Sequence, residues 1–182
     1  MDYSTTYGYW RVIARTCNYT IPDNLPRPEY IGDKPCPEDR LEEVTIGQLI
    51  EMGEAQGPDT DYRICEIMLG YDKQQTDECR AVEVVPFISW IGRQIKAINK
   101  LFEGISHKPT AKEKQAGIEK LQFGLFGMLD WYAKRMGITD HDEVLSVPWM
   151  RIYKCMEMDS LVQQYEKRYN EIALREARRK KK

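Results

Sequence analysis

At 182 residues, 42% of them hydrophobic and 31% charged, the chain has the size and composition of one ordinary globular domain, or of one domain with an appendage. Its net charge of −2 excludes a global basic field for nucleic acid or membrane, although an acidic middle is balanced by a basic C-terminus. No apolar run approaches the roughly 20 residues that span a bilayer.

The N-terminal stretch MDYSTTYGYWRV lacks the charged-then-apolar pattern of a signal peptide, so we expect a protein of the cytosol. Five cysteines, an odd number without a C-x-x-C pair, are typical of buried thiols in a reducing compartment. Neither of the two histidines stands at zinc-ligand spacing from a cysteine. The cysteines are Cys17, Cys36, Cys65, Cys79 and Cys155.

Residues 1–43 form an aromatic, proline-rich segment that differs from the helical remainder at 44–182. A short helix at about 8–18 precedes five prolines, whose spacing excludes regular structure between Ile21 and Glu38. The rings of this N-terminal arm, among them Tyr9 and Trp10, could pack on the arm's own helical body or dock on a neighbouring subunit.

Helical spacing of apolar residues recurs through the rest of the chain. Thr45 is placed to cap a helix ending near Glu54, and Asp59 or Asp61 a second one ending at Gly70. We expect a loop at 71–86, a helix at about 87–103, a charged loop at 106–114 and a central core helix at 121–136. Gly124 and Gly127 on that core helix favour the close approach of another helix. Gly137 ends it, and a single turn follows at 142–145.

The stretch from Pro148 to Lys182 contains no further Pro or Gly and predicts one long helix. One apolar stripe recurs along it in steps of three, four and seven residues, and we expect the rest of the chain to cover this stripe. The stripe consists of Ile152, Cys155, Val162, Tyr165, Tyr169 and Ile172.

A second apolar set on this helix lies off that stripe and indicates either deep burial or contact with another protein: Trp149, Met150, Tyr153, Met156 and Met158. We predict a protein interface that includes Tyr9, Trp10, Trp149, Tyr153, Met156 and Met158.

Six cations among the last eight residues could contact phosphate or could form a solvated helix end that complements the helix dipole. A surface that binds single-stranded nucleic acid requires aromatic residues interleaved with the cations, and this tail has none. The cations are Arg175, Arg178, Arg179, Lys180, Lys181 and Lys182.

Catalytic motifs are not found in the sequence. The run Asp140-His141-Asp142-Glu143 has metal-ligand chemistry, but consecutive residues point around a helix axis, and an N-cap with acids in the first turn explains it. There is no P-loop and no nucleophile elbow. We therefore expect a protein that is not an enzyme, without a cofactor, a metal or catalytic residues.

The order of the helical segments resembles small helical proteins of tailed bacteriophages, in particular phages of gut Bacteroidetes including the crAss-like group. The resemblance covers about 44–172 and is carried by the segments VTIGQLIEM, DYRICEIMLGYD, VVPFISWIGRQIKAINKLF, FGLFGMLDWYAKRM and VPWMRIYKCMEMDSLVQQYEKRYNEI. Such proteins are encoded among structural genes and act as assembly or tail-chaperone-like factors. The resemblance implies a non-enzymatic virion or assembly role in the cytoplasm of a bacterial host or in the virion.

Together these patterns predict an all-α fold, a bundle of about five or six helices with a long C-terminal helix and an extended proline-rich N-terminal arm. The predicted partners are other phage structural proteins or copies of the chain itself, in a homo- or hetero-oligomer and without a membrane. The alternative function is association with nucleic acid through weak, non-specific contacts of the basic tail.

Overall fold

The structure, a computed structural model, describes residues 4–22, 24–106, 109–121 and 123–180, with the side chains of residues 39 and 119 excepted. Over these ranges it contains nine α-helices, two short 3-10 helices and one pair of two-residue strands. The mostly helical fold is confirmed, with more helices than the five or six predicted. The helices are α1 (Tyr7–Thr16), α2 (Ile46–Glu54), α3 (Thr60–Leu69), α4 (Lys73–Glu78), α5 (Ala81–Ile105), α6 (Ala111–Gln115), α7 (Gly124–Met136), α8 (His141–Leu145) and α9 (Trp149–Lys180). The 3-10 helices are Asp39–Leu41 and Ile118–Lys120.

The chain divides into two compact units, Met1–Lys100 and Leu101–Lys182, so the division falls inside α5. We call them the N-terminal unit and the C-terminal unit. The predicted arm at 1–43 is one part of the N-terminal unit.

The start of the described chain is bound to the N-terminal unit by its backbone. Tyr7 donates its N–H to the carbonyl of Cys79 at 2.7 Å, and Ala81 donates to that of Thr5 at 2.9 Å. The Tyr7 side chain is 1% exposed, and Arg11 and Ala14 are buried on the same face of α1. This face of the arm therefore packs on the chain's own helices.

The proline-rich segment runs along α5. Ser89 donates its hydroxyl to the carbonyl of Pro22 at 2.7 Å, and Arg93 donates to that of Leu25 at 2.6 Å. Prolines lack an N–H but keep their carbonyl, so a segment without helix or sheet can still be fixed by side-chain donors.

Regular structure does occur among these prolines, contrary to the prediction. Strands β1 (Tyr30–Ile31) and β2 (Lys34–Pro35) pair antiparallel around Gly32, whose φ of +59° suits a residue without a Cβ. Tyr71 donates its hydroxyl to the Asp33 carboxylate, and Glu83 accepts from the N–H of Gly32 at 3.2 Å. Side chains distant in sequence thus stabilise a turn that the local pattern alone does not predict.

Helix α5 begins at Ala81, six residues before the predicted start, and includes Pro86. The predicted loop is wrong here because Val84 and Val85 are fully buried. Their burial outweighs the weak preference of β-branched residues against helix.

In the C-terminal unit, helix α7 begins at Gly124, three residues later than predicted, and is only partly a core helix. Leu129, Tyr132 and Ala133 are buried, whereas its N-terminal side chains are exposed. The two glycines do not mark a helix contact: Gly124 has a φ of +53°, and a Cβ at Gly127 would meet the Phe123 side chain at 2.7 Å.

Candidate interaction surface

The first turns of α9 anchor this helix in the C-terminal unit. Trp149 and Ile152 are fully buried, and Tyr153 is 7% exposed. The Phe102 ring lies 6.1 Å from the Trp149 ring and 5.5 Å from the Tyr153 ring, the latter in an edge-to-face arrangement. Aromatic pairs at these distances add to the apolar burial.

An ion pair fixes α9 to α7 at the end of the packed region. Arg135 donates to both carboxylate oxygens of Asp159, at 2.6 and 2.7 Å. The hydrogen bond to Asp159 raises the pKa of Arg135 further above its already high ordinary value. Both side chains are one-third exposed, so we assign the pair a positioning role rather than a large share of the stability.

Beyond this pair every residue from 161 to 180 is exposed, including large apolar side chains. We call one set of them the outer stripe: Met158, Val162, Tyr165, Tyr169 and Ile172, each between 55% and 62% exposed. Its members are four, three, four and three residues apart, which is the a/d spacing of a coiled-coil seam. The rings of Tyr165 and Tyr169 stack at 6.3 Å.

A groove of about 680 Å³ lies on the opposite side of α9, between this helix, α7 and the last residues of α5. Met156, Ser160, Gln163 and Lys167 line it from α9. Each member of the outer stripe from Met158 to Tyr169 is two residues away from one of the residues that line the groove. Two residues correspond to a rotation of about 200° around the helix axis. The packed face and the outer stripe are therefore distinct surfaces.

The apolar side chains of α9 that the chain buries are not the ones that we predicted. We predicted that the chain itself covers Val162, Tyr165, Tyr169 and Ile172, and that expectation is wrong because these side chains face away from the C-terminal unit. The chain instead covers Trp149 and Tyr153, which we had placed at an interface with another protein.

The other predicted interface residues are accessible to different degrees. Met158 belongs to the outer stripe, whereas Met156 is half-buried at the groove. On α1, Tyr9 is 67% exposed, while Trp10 is half-buried and stacks on Tyr7 at 5.6 Å.

The basic tail continues the exposed part of α9. Arg175, Arg178, Arg179 and Lys180 are all exposed, and Lys181 and Lys182 lie outside the described residues. Their helical positions spread around the axis, so the cations form a charged end and not a one-sided strip.

A second notable cluster holds α1 in the N-terminal unit. Arg11 donates to Asp61 at 2.6 Å and to Asp59 at 2.9 Å, and Tyr7 donates its hydroxyl to Asp61. Burial, together with the bond to Asp61, raises the pKa of Tyr7 far above its ordinary value. The Arg11 guanidinium lowers the pKa of Asp59. The Arg11 guanidinium also stacks on the Tyr62 ring at 4.1 Å, so each charged group here has a partner, as a structural cluster requires.

The run at residues 140–143 is a helix cap, as predicted. The Asp140 carboxylate accepts from the N–H of Asp142 at 2.9 Å, and His141 lies against the Phe126 ring at 5.0 Å. Within the described ranges, no three His, Cys, Asp or Glu side chains come together as metal ligands. No helix in that part of the chain is long and apolar enough to cross a membrane.

Comparison with protein-family models, with curated proteins and with solved structures gives no match. The exposed surfaces of the chain are therefore the basis for a functional proposal.

Proposed function

We propose that this chain is a non-enzymatic assembly protein that acts through helix–helix contacts, as a virion component or assembly chaperone of a tailed bacteriophage in its bacterial host. The observation that carries the proposal is the outer stripe, an a/d seam without cover on a 32-residue helix. Exposed apolar patches of this regularity are a feature of protein-binding surfaces. The phage assignment depends on the resemblance of the helical segments at 44–172.

The stripe has the geometry of a helix-binding surface. From Met158 to Ile172 it spans 14 residue-to-residue steps, or about 21 Å at 1.5 Å per step. The spacing matches a partner helix that supplies knobs every three and four residues. Large, rigid tyrosine side chains such as Tyr165 and Tyr169 are frequent anchors in protein interfaces.

A complementation experiment in the infected host tests this function. We expect the double substitution Tyr165→Ser, Tyr169→Ser to reduce the yield of infectious particles about tenfold or more, because loss of one anchor alone can cost an interface a factor of about ten in affinity. Leu174→Ser is the matched control because Leu174 is equally exposed, at 61%, but lies on another face of α9. A full yield from a phage in which the gene is deleted, or from one that carries the double variant, would contradict an assembly role.

Analysis of purified particles separates the two forms of the proposal. A virion component is present in finished particles at a fixed copy number, whereas a chaperone is absent from them. Quantitative mass spectrometry of gradient-purified particles gives the answer directly.

The second candidate is a nucleic-acid-associated protein, favoured by the exposed cations of the tail. Removal of residues 175–182 should then abolish binding to duplex DNA. The intact chain should show a slope of log K against log salt of up to roughly −5, at about 0.9 for each of the six cations that contacts a phosphate. Binding that survives the truncation would exclude the tail as its source.

A further inference from the structure

A second exposed apolar surface is formed by α1, on the side opposite the buried Tyr7 and Arg11, and by Tyr19, which follows this helix. We call it the α1 patch: Tyr9, Val12, Ile13 and Tyr19, between 45% and 67% exposed. A recess of about 360 Å³ opens within it, lined by Thr5, Tyr9, Trp10, Ile13 and Tyr19. The patch therefore offers exposed apolar side chains and a recess large enough to accept an aromatic ring.

The α1 patch and the outer stripe belong to parts of the chain with opposite charge. Residues 161–180 carry six Lys and Arg against three Glu, a net +3. Residues 1–100 carry 11 Lys and Arg against 17 Asp and Glu, a net −6. Beside the patch, Asp77 and Glu78 of α4 share a recess with Tyr9 and a single cation, Lys73.

We propose that the outer stripe of one copy docks on the α1 patch of a second copy, so that the chain assembles head to tail. This inference deepens the proposed function, on which it depends. Pairing of stripe with stripe would oppose two helix ends of charge +3, whereas pairing of stripe with patch brings a helix end of charge +3 to a unit whose net charge over residues 1–100 is −6. Two apolar surfaces that both present exposed tyrosine rings then cover each other.

Head-to-tail contact has a consequence that symmetric pairing lacks. In a head-to-tail dimer, one copy retains an unused patch and the other an unused stripe. Association therefore continues beyond the dimer until a ring closes or a filament grows. Exposed charges flank the contact, so rising salt concentration weakens it.

The test uses the full-length chain, two variants and their mixture in sedimentation velocity. The stripe variant is Tyr165→Ser, Tyr169→Ser, and the patch variant is Tyr9→Ser, Val12→Ser. All four side chains are more than 60% exposed, so the variants should fold, as circular dichroism can verify. Leu174→Ser serves again as the control.

We expect the wild type and the control to form species larger than dimers as concentration rises. Each variant alone should self-associate at least about 30-fold more weakly, the effect of losing interface anchors. An equimolar mixture should form a heterodimer and stop there, because it contains one intact stripe and one intact patch that can meet.

Other outcomes overturn the inference in distinguishable ways. If the patch variant associates like the wild type while the stripe variant is monomeric, the α1 docking site is overturned but the stripe keeps a role in association. A wild type that stays monomeric at all concentrations overturns self-assembly, while the particle-yield experiment decides the proposed function separately. A mixture that stays monomeric also overturns head-to-tail contact.

Discussion

Arg11 connects the N-terminal helix to the rest of its unit, and its replacement tests whether that connection is strong. Its side chain is 10% exposed, and the Asp61 carboxylate that it meets at 2.6 Å is 16% exposed. Removal of one partner of a buried ion pair costs about 3–5 kcal/mol, because the other charge loses its compensation. We expect Arg11→Met to lower the free energy of unfolding of the N-terminal unit by that amount.

Urea denaturation followed by circular dichroism and fluorescence measures this change. Trp10 stacks on Tyr7, so its share of the fluorescence of the chain's four tryptophans changes when α1 leaves the unit. Arg15→Met is the matched control: this side chain is 52% exposed and lies 3.8 Å from Asp59, so its loss should cost less than about 1 kcal/mol.

A third variant separates loss of the ion pair from loss of packing. Adding Asp61→Asn to Arg11→Met removes the uncompensated charge and should restore part of the stability. Equal effects of Arg11→Met and Arg15→Met, or no recovery in the double variant, would refute the reasoning.

Three further predictions concern single side chains in either unit. Replacing the fully buried Trp149 with Ala should cost about 3–5 kcal/mol in urea denaturation of the C-terminal unit. Iodoacetamide at pH 8 should label the exposed Cys17 in the folded protein but Cys65 only after unfolding, because burial raises the pKa of the Cys65 thiol to about 12. Peptide mapping checks the order of labelling. Labelling of Cys65 in the folded protein would contradict the prediction. Burial and the Asp33 contact raise the pKa of Tyr71 to about 12 from its ordinary value of 10.0, so the folded state binds the proton more tightly. The free energy of unfolding should therefore fall as pH rises from 10 to 12, and Tyr71→Phe should reduce that slope.

Local signals in the sequence predicted most of the longer elements. Thr45 caps α2 through a reciprocal pair with Gln48, and the left-handed Gly70 and Gly137 end α3 and α7. These devices act within one turn of helix, so they can be recognised without knowledge of the tertiary structure.

Two short helices were missed although their caps were present in the sequence. Asp72 with Gln75 begins α4, and Thr110 with Glu113 begins α6, each as a capping box. Helices of five or six residues are too short to show an apolar period, so the cap was the available signal.

The candidate surface illustrates what periodicity alone does not contain. The spacing of Val162, Tyr165 and Tyr169 showed an apolar face, but the choice of which face the chain covers depends on α7 and the end of α5. The same limit applies to thiols: Cys36, Cys65 and Cys79 are buried as expected, whereas Cys17 is exposed and Cys155 half-buried.

The exposed outer end of α9 has a consequence for its folding. Residues 161–180 are exposed throughout, and helices in proteins take most of their stability from packing, so this segment depends mainly on the hydrogen bonds along its own axis. Amide hydrogens there should exchange rapidly in a lone chain and slowly once a partner covers the stripe. Trypsin should accordingly cut at Lys167 and Arg168 in free copies and spare bound ones. The extent of cleavage then measures the fraction of copies that have bound a partner.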